Sequence, residues 1–147
     1  TSFKVSDLNI DDNKDYLTLS AEHNAYENNF NYIHRRVIKI DKKKSNLFGE
    51  DYLTSVNKDQ KIQNTYSIRF HLYPGVTAVQ TFGKNSILIQ VNKNNSLLFA
   101  SNGENLILEK SIFLGRNQIV NNFCITISGV LNNNENKNIT WELKKNN

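Results

Sequence analysis

Apolar and polar residues alternate along most of this chain with a period of two. In Tyr66-Ser67-Ile68-Arg69-Phe70-His71-Leu72-Tyr73, the side chains of Tyr66, Ile68, Phe70 and Leu72 fall on one side of an extended strand. Ser67, Arg69, His71 and Tyr73 fall on the other. In Ser86-Ile87-Leu88-Ile89-Gln90-Val91, the residues Ile87, Ile89 and Val91 oppose Ser86, Leu88 and Gln90. The pattern predicts strands at 2–8, 16–22, 30–40, 47–56, 65–73, 76–82, 86–91, 96–100, 105–114, 122–130 and 138–143. Each is rich in Ile, Val, Phe, Tyr or Thr and is bounded by Asn, Asp, Gly or Lys. No window carries a sustained helical period with caps. The expected fold is therefore all-β, an antiparallel β-sandwich of stacked sheets, forming a single domain over residues 1–147. Pro74-Gly75 marks a turn, and Ser101-Asn102-Gly103-Glu104 reads as a hairpin. The polar run at 131–137 reads as another hairpin tip, and 144–147 as a frayed end.

Composition changes this picture little. Hydrophobic residues make up 38% of the chain, a low share, but aromatics at 10% suffice to build a core. The deficit is filled by Asn and Lys dispersed among strand patterns, a bias typical of AT-rich coding sequence. Cys124 is the single cysteine, which excludes an internal disulfide and a thiolate zinc site. Within Phe123-Cys124-Ile125-Thr126-Ile127 it reads as a small buried hydrophobe. The net charge of +4 is compatible with an acidic polysaccharide, a nucleic acid or an anionic membrane. Its clearest run, Lys42-Lys43-Lys44, reads as a solvated turn, so neither nucleic acid nor membrane is assigned as a partner. No run is long enough to span a bilayer. The chain has no methionine and opens directly on a strand pattern, so it reads as part of a longer protein. A periplasmic and a cytoplasmic location in a bacterium both stay open.

The candidate chemistry lies in polar side chains set on strands. There is no Gly-rich phosphate loop and no nucleophile elbow. His23, His34 and His71 lack metal-ligand spacing, so no metal site is assigned. His23 and Tyr26 lie close together and could exchange protons around a sugar, or could be a loop histidine and a packing tyrosine. By parity, His34 and Arg36 share a face with Tyr32 and Ile38, and Arg35 points the other way. An inward arginine needs a carboxylate, supplied by Glu50 or Asp51 or by a uronate. Arg69 and His71 share the polar face of their strand. If all four cationic or imidazole groups lay on one sheet, that sheet would offer a face for an anionic glycan or for a neighbouring domain. The candidate binding or interface residues are thus His23, Tyr26, His34, Arg36, Arg69 and His71. A free-standing glycan-binding module would instead expose aromatics for stacking, for which Tyr26, Tyr32 and Trp141 are the candidates.

Four short motifs occur in order: Glu22-His23-Asn24-Ala25-Tyr26, Ile33-His34-Arg35-Arg36, Gly49-Glu50-Asp51-Tyr52-Leu53 and Arg69-Phe70-His71-Leu72-Tyr73-Pro74-Gly75-Val76. A weaker echo follows in Leu108-Glu109-Lys110-Ser111-Ile112-Phe113-Leu114-Gly115. The set resembles the C-terminal sheet domain of the bacterial heparinase II/III-like polysaccharide lyases. Asn24-Ala25 stands where the family pattern has Asp-Gly, and Tyr73 where it has His. The resemblance implies a sheet fragment of a larger toroid-plus-sheet protein that cleaves uronate-containing acidic polysaccharides by β-elimination. It implies an N-terminal helical toroid as a partner, with the tyrosine and several histidines on that toroid. The His-rich motif and metal ligands of the family would fall ahead of Thr1. No cofactor is then expected in this chain, a divalent metal is compatible with the full-length protein, and the isolated chain is expected to be inactive. The resemblance gives none of the six candidates a catalytic role.

Overall fold

The structure, a computed structural model, describes residues 3–59, 63–115 and 118–146. Its strands are β1 (Val5–Asp12), β2 (Tyr16–His23), β3 (Tyr32–Asp41), β4 (Asn46–Ser55), β5 (Asn64–His71), β6 (Thr77–Gln80), β7 (Ser86–Asn92), β8 (Asn95–Ser101), β9 (Asn105–Gly115), β10 (Gln118–Leu131) and β11 (Lys137–Asn146). One short helix, α1 (Glu27–Phe30), separates β2 from β3. The strands form an eight-stranded sheet in the order β1-β2-β3-β4-β11-β8-β7-β6 and a three-stranded sheet in the order β5-β10-β9. The fold is all-β with two antiparallel sheets, as the alternation predicts.

The chain divides into two compact units. One comprises Thr1–Tyr66 and Val130–Trp141, the other Ser67–Gly129 and Glu142–Asn147. The first unit contains the β1–β4 meander and buries Tyr32, Leu53, Tyr66, Leu131, Ile139 and Trp141. In its β3–β4 hairpin, Asp41 accepts from the backbone N–H groups of Lys43 and Lys44, and Lys43 pairs with Asp15 at 2.6 Å. The lysine run is therefore a tied-down surface turn. The second unit buries Ile87, Ile89, Phe99, Leu106, Cys124, Ile125 and Ile127. Within it Phe70 meets Phe99 with ring centroids 5.1 Å apart. On β5, Tyr66 and Ile68 are buried, Phe70 is half-buried, and Ser67, Arg69 and His71 are exposed, which is the predicted alternation. The Tyr73-Pro74-Gly75-Val76 turn closes with Val76 N–H donating to the Tyr73 carbonyl at 3.1 Å. Gly75 sits there at φ +89, a value that L side chains rarely adopt.

Where the structure departs from the sequence reading, a local cause is visible. The expected first strand starts at residue 2, outside the described residues; β1 runs later, from Val5 to Asp12. Its register shifts between Ser6 and Asn9, with Asp7 at φ +50, and this irregularity breaks the period-two pattern. The residues before Tyr32 form α1 rather than strand, a single turn too short to show helical periodicity. Asn31 ends it in the left-handed region at φ +62, its N–H donating to the Glu27 carbonyl. The segments at 101–104 and 132–136 are not hairpin tips. Each carries the chain from one sheet to the other, β8 to β9 and β10 to β11. The C-terminal residues 144–146 continue β11 instead of fraying, and Asn147 lies outside the described residues.

Candidate functional site

Asp51 is the centre of the polar cluster in the first unit. It lies on the inward parity of β4 with Gly49, Leu53 and Ser55, all buried. Antiparallel register sets Arg36 of β3 directly opposite Asp51, and His34 opposite Leu53. Asp51 Oδ1 accepts from His34 Nε2 at 2.6 Å and from Arg36 Nε at 2.7 Å. Its Oδ2 accepts from the indole Nε1 of Trp141 at 2.9 Å. The Asp51 side chain is fully buried, whereas Arg36 keeps 36% of its side chain exposed. Burial pushes the Asp51 pKa up. The hydrogen bonds from His34 and Arg36, the Arg36 charge and the Trp141 N–H outweigh it, and the net result is a lowered pKa.

Gly49 explains how the indole reaches that carboxylate. A Cβ at Gly49 would lie 2.0 Å from Trp141 Cζ2, so only glycine lets the ring lie against β4. The Arg36 guanidinium stands 6.0 Å from the Trp141 ring centroid and adds a cation–π contact. Glu50, on the opposite parity, accepts from the Tyr52 hydroxyl, and Arg35 stands 6.0 Å from the Tyr52 ring. Of the two carboxylates considered for Arg36, Asp51 is the one it pairs with.

The cluster continues outward through imidazoles. β2 pairs with β3 so that His23 faces His34. His34 Nδ1 and His23 Nε2 are 3.0 Å apart, and the Ala25 N–H donates to His23 Nδ1 at 3.3 Å. Burial lowers the His23 pKa, and the charges of His34 and Arg36 lower it further. Tyr26 opens the α1 turn with its ring centroid 5.2 Å from that of His23, and is 45% exposed. The structure thus brings His23, Tyr26, His34 and Arg36 together.

Arg69 and His71 belong to the other unit. They project from the exposed side of β5, where Ser67 Oγ accepts from Arg69 Nε at 3.4 Å and His71 Nδ1 lies 3.4 Å from Ser111 Oγ. β5 belongs to the three-stranded sheet and β3 to the eight-stranded one, so the expected single sheet bearing all four groups is not formed. Tyr32 and Trp141 are 2% and 6% exposed, which removes them as sugar-stacking platforms and leaves Tyr26. The Tyr32 hydroxyl instead donates to the Glu135 carbonyl at 3.0 Å.

The ring nitrogens of His23 and His34 and the carboxylate of Asp51 are satisfied within the protein. Asp51 receives three donors, the imidazoles bond each other, and the remaining His23 nitrogen faces a backbone amide. Such a donor set does not fit a divalent cation, which needs lone pairs converging on a vacant point. What it does chemically is hold β2, β3, β4 and Trp141 in register around one buried negative charge. Sequence reading offered Trp141 only as a sugar-stacking aromatic and Gly49 only as part of a motif, and missed their contact with each other and with Asp51. A single tryptophan in an otherwise alternating strand was the available signal, because a buried indole N–H needs an acceptor.

Residues 3–142 match the family described as Heparinase II/III-like, C-terminal. Among solved structures, the chain is similar to the heparan sulfate lyase HepC from Pedobacter heparinus, with TM-score 0.80 and 14% identity over 97% of this chain and 22% of that one. It is also similar to a heparinase III described as the BT4657 gene product, with TM-score 0.74 and 11% identity over 99% of this chain and 22% of that one. A further heparinase III structure gives TM-score 0.71 and 16% identity over 98% of this chain and 21% of that one. The chain thus spans about a fifth of the length of each of these structures. No curated protein matches.

Proposed function

Because the chain belongs to the heparinase II/III-like C-terminal family, we propose that it is the sheet portion of a lyase acting on uronate-containing acidic polysaccharides. The reaction is β-elimination. A base takes the proton next to the uronate carboxylate, the electron pair forms the ring double bond, and the glycosidic oxygen leaves with a proton from an acid. A cation or amide neutralises the carboxylate and makes that proton removable. The residues of this chain support the reaction without performing it, and an N-terminal helical toroid of the same protein supplies the reacting groups.

One observation carries this reading. The densest imidazole–carboxylate cluster of the described residues is internally satisfied, so His23 and His34 have no lone pair directed at a substrate. A general base must present such a lone pair within hydrogen-bonding reach of the proton it takes. The test is formation of the unsaturated product, read by absorbance, on heparan sulfate and other uronate glycans. The 147-residue chain alone is expected to give no turnover. Turnover by a clean preparation, abolished by His23→Ala, overturns the reading and makes the chain a catalyst in its own right.

A second reading, a glycan-binding or domain-docking module without chemistry, draws on the exposed Arg69 and His71. It expects salt-sensitive binding of an acidic oligosaccharide that Arg69→Ala weakens without loss of stability. Absence of binding by the isolated chain favours docking to a partner domain instead.

A further inference from the structure

We propose that His23 ends a one-way hydrogen-bond chain that latches the corner bearing Tyr26 at neutral pH and releases it in acid. The direction of the chain follows from counting protons. Asp51 is ionised and can only accept, so the proton at the 2.6 Å contact is on His34 Nε2. A neutral imidazole protonated at Nε2 carries its lone pair on Nδ1. His34 Nδ1 therefore accepts, and His23 Nε2 donates across the 3.0 Å contact. That leaves the His23 lone pair on Nδ1, where the Ala25 N–H donates to it at 3.3 Å. Each tautomer is fixed by its neighbour.

A further proton has one place to go. His34 Nε2 already carries one, and the contact between the rings holds one. Whichever ring bears the formal charge, the added proton ends on His23 Nδ1. Donor then faces donor, and the Ala25 bond is lost while the inner contacts persist. The groups facing His23 set where this happens. From β3 they are His34 and Arg36, and from β4 beyond them Asp51. From the α1 corner it is the Tyr26 ring, while Glu27 next along the chain is engaged by Asn24 Nδ2 at 3.1 Å. From the segment before β1 it is the ring of Phe3, while the backbone of Lys4 exchanges hydrogen bonds with Asn24. Burial, His34 and Arg36 disfavour the charge on His23, so release falls below the ordinary histidine range. Ala25 directly precedes Tyr26, so the exposed aromatic pair of Tyr26 and Phe30, 6.3 Å apart, is what the latch orients. This inference does not depend on the lyase reading.

The test uses the whole 147-residue chain labelled with 15N. Two-bond proton–nitrogen spectra assign the ring tautomers, and hydrogen exchange follows Ala25 from about pH 8 to about pH 5. Both His23 and His34 are expected as Nε2–H tautomers at the start. On acidification the Ala25 protection factor, corrected for intrinsic exchange, should fall about two- to tenfold in step with the His23 ring, the change expected for one hydrogen bond. In His23→Gln that step should vanish. An Nδ1–H tautomer on either ring at neutral pH, an Ala25 protection factor that stays flat while His23 titrates, or a step that survives in His23→Gln would each overturn the proposal.

Discussion

Replacing Asp51 with Asn tests the central cluster with the smallest change in shape. The carboxylate now serves three donors, two on Oδ1 and one on Oδ2. An amide has one oxygen and one NH2. Its better orientation keeps the oxygen towards His34 and Arg36 and turns the NH2 against the Trp141 N–H. That leaves a buried indole donor unsatisfied, at about 1–3 kcal/mol. The two remaining bonds lose their anionic acceptor, which costs about 1 kcal/mol each when a charge-assisted bond becomes a neutral one. The Arg36 side chain is 36% exposed, so water absorbs part of the cost of its lost counter-ion. The expected loss is about 3–5 kcal/mol. Glu50→Gln, one residue away on the opposite parity, should cost no more than about 1 kcal/mol. Trp141 is the single tryptophan and touches Asp51, so its fluorescence in a urea titration reports on this unit directly. A loss below about 1 kcal/mol for Asp51→Asn, or one no larger than for Glu50→Gln, would refute the account.

Gly49→Ala places a methyl 2.0 Å from an indole carbon and should destabilise by about 1–3 kcal/mol while shifting Trp141 emission. An unchanged spectrum and urea midpoint would mean the ring is not where the structure has it. Tyr32→Phe removes the bond to the Glu135 carbonyl and should cost about 1 kcal/mol in the same titration. The pH dependence has a fixed sign. His23 has a lowered pKa when folded, so the unfolded chain binds more protons, and stability should fall as pH drops below the unfolded value of about 6.5, levelling off below the folded one. Asp51, also lowered, adds a second loss as pH falls from about 3.9 through its folded value. Urea midpoints that rise on acidification from about pH 7 to about pH 5 would contradict the His23 assignment.

Much of the fold was legible because strand parity is a local property. Tyr66, Ile68 and Phe70 alternate with exposed neighbours as expected, and His34 and Arg36 share a face as counting by twos requires. What the sequence could not show is which strands are neighbours. Asn102-Gly103 announces a turn, but not that the next strand joins another sheet. Trp141 stands 90 residues from Asp51, and nothing local to either residue records that β11 lies beside β4. The same limit separated Arg69 and His71 from the cluster with which they were grouped. The contact of His23 with His34 was hidden for a nearer reason: the α1 turn between their strands obscures the hairpin register that makes them cross-strand partners.

The position of β11 bears on how the protein folds. β11, the last of the described strands, takes an interior place in the eight-stranded sheet, between β4 and β8, rather than an edge. During synthesis both of those strands leave the ribosome well before it does. Until β11 inserts, each presents an unpaired row of backbone donors and acceptors, the arrangement that recruits foreign strands. Loop closure over such sequence distances is slow, so this intermediate has time to aggregate. Truncating the chain before Lys137 would turn the transient state into a permanent one, leaving Asp51 without its indole and the sheet with two additional open edges.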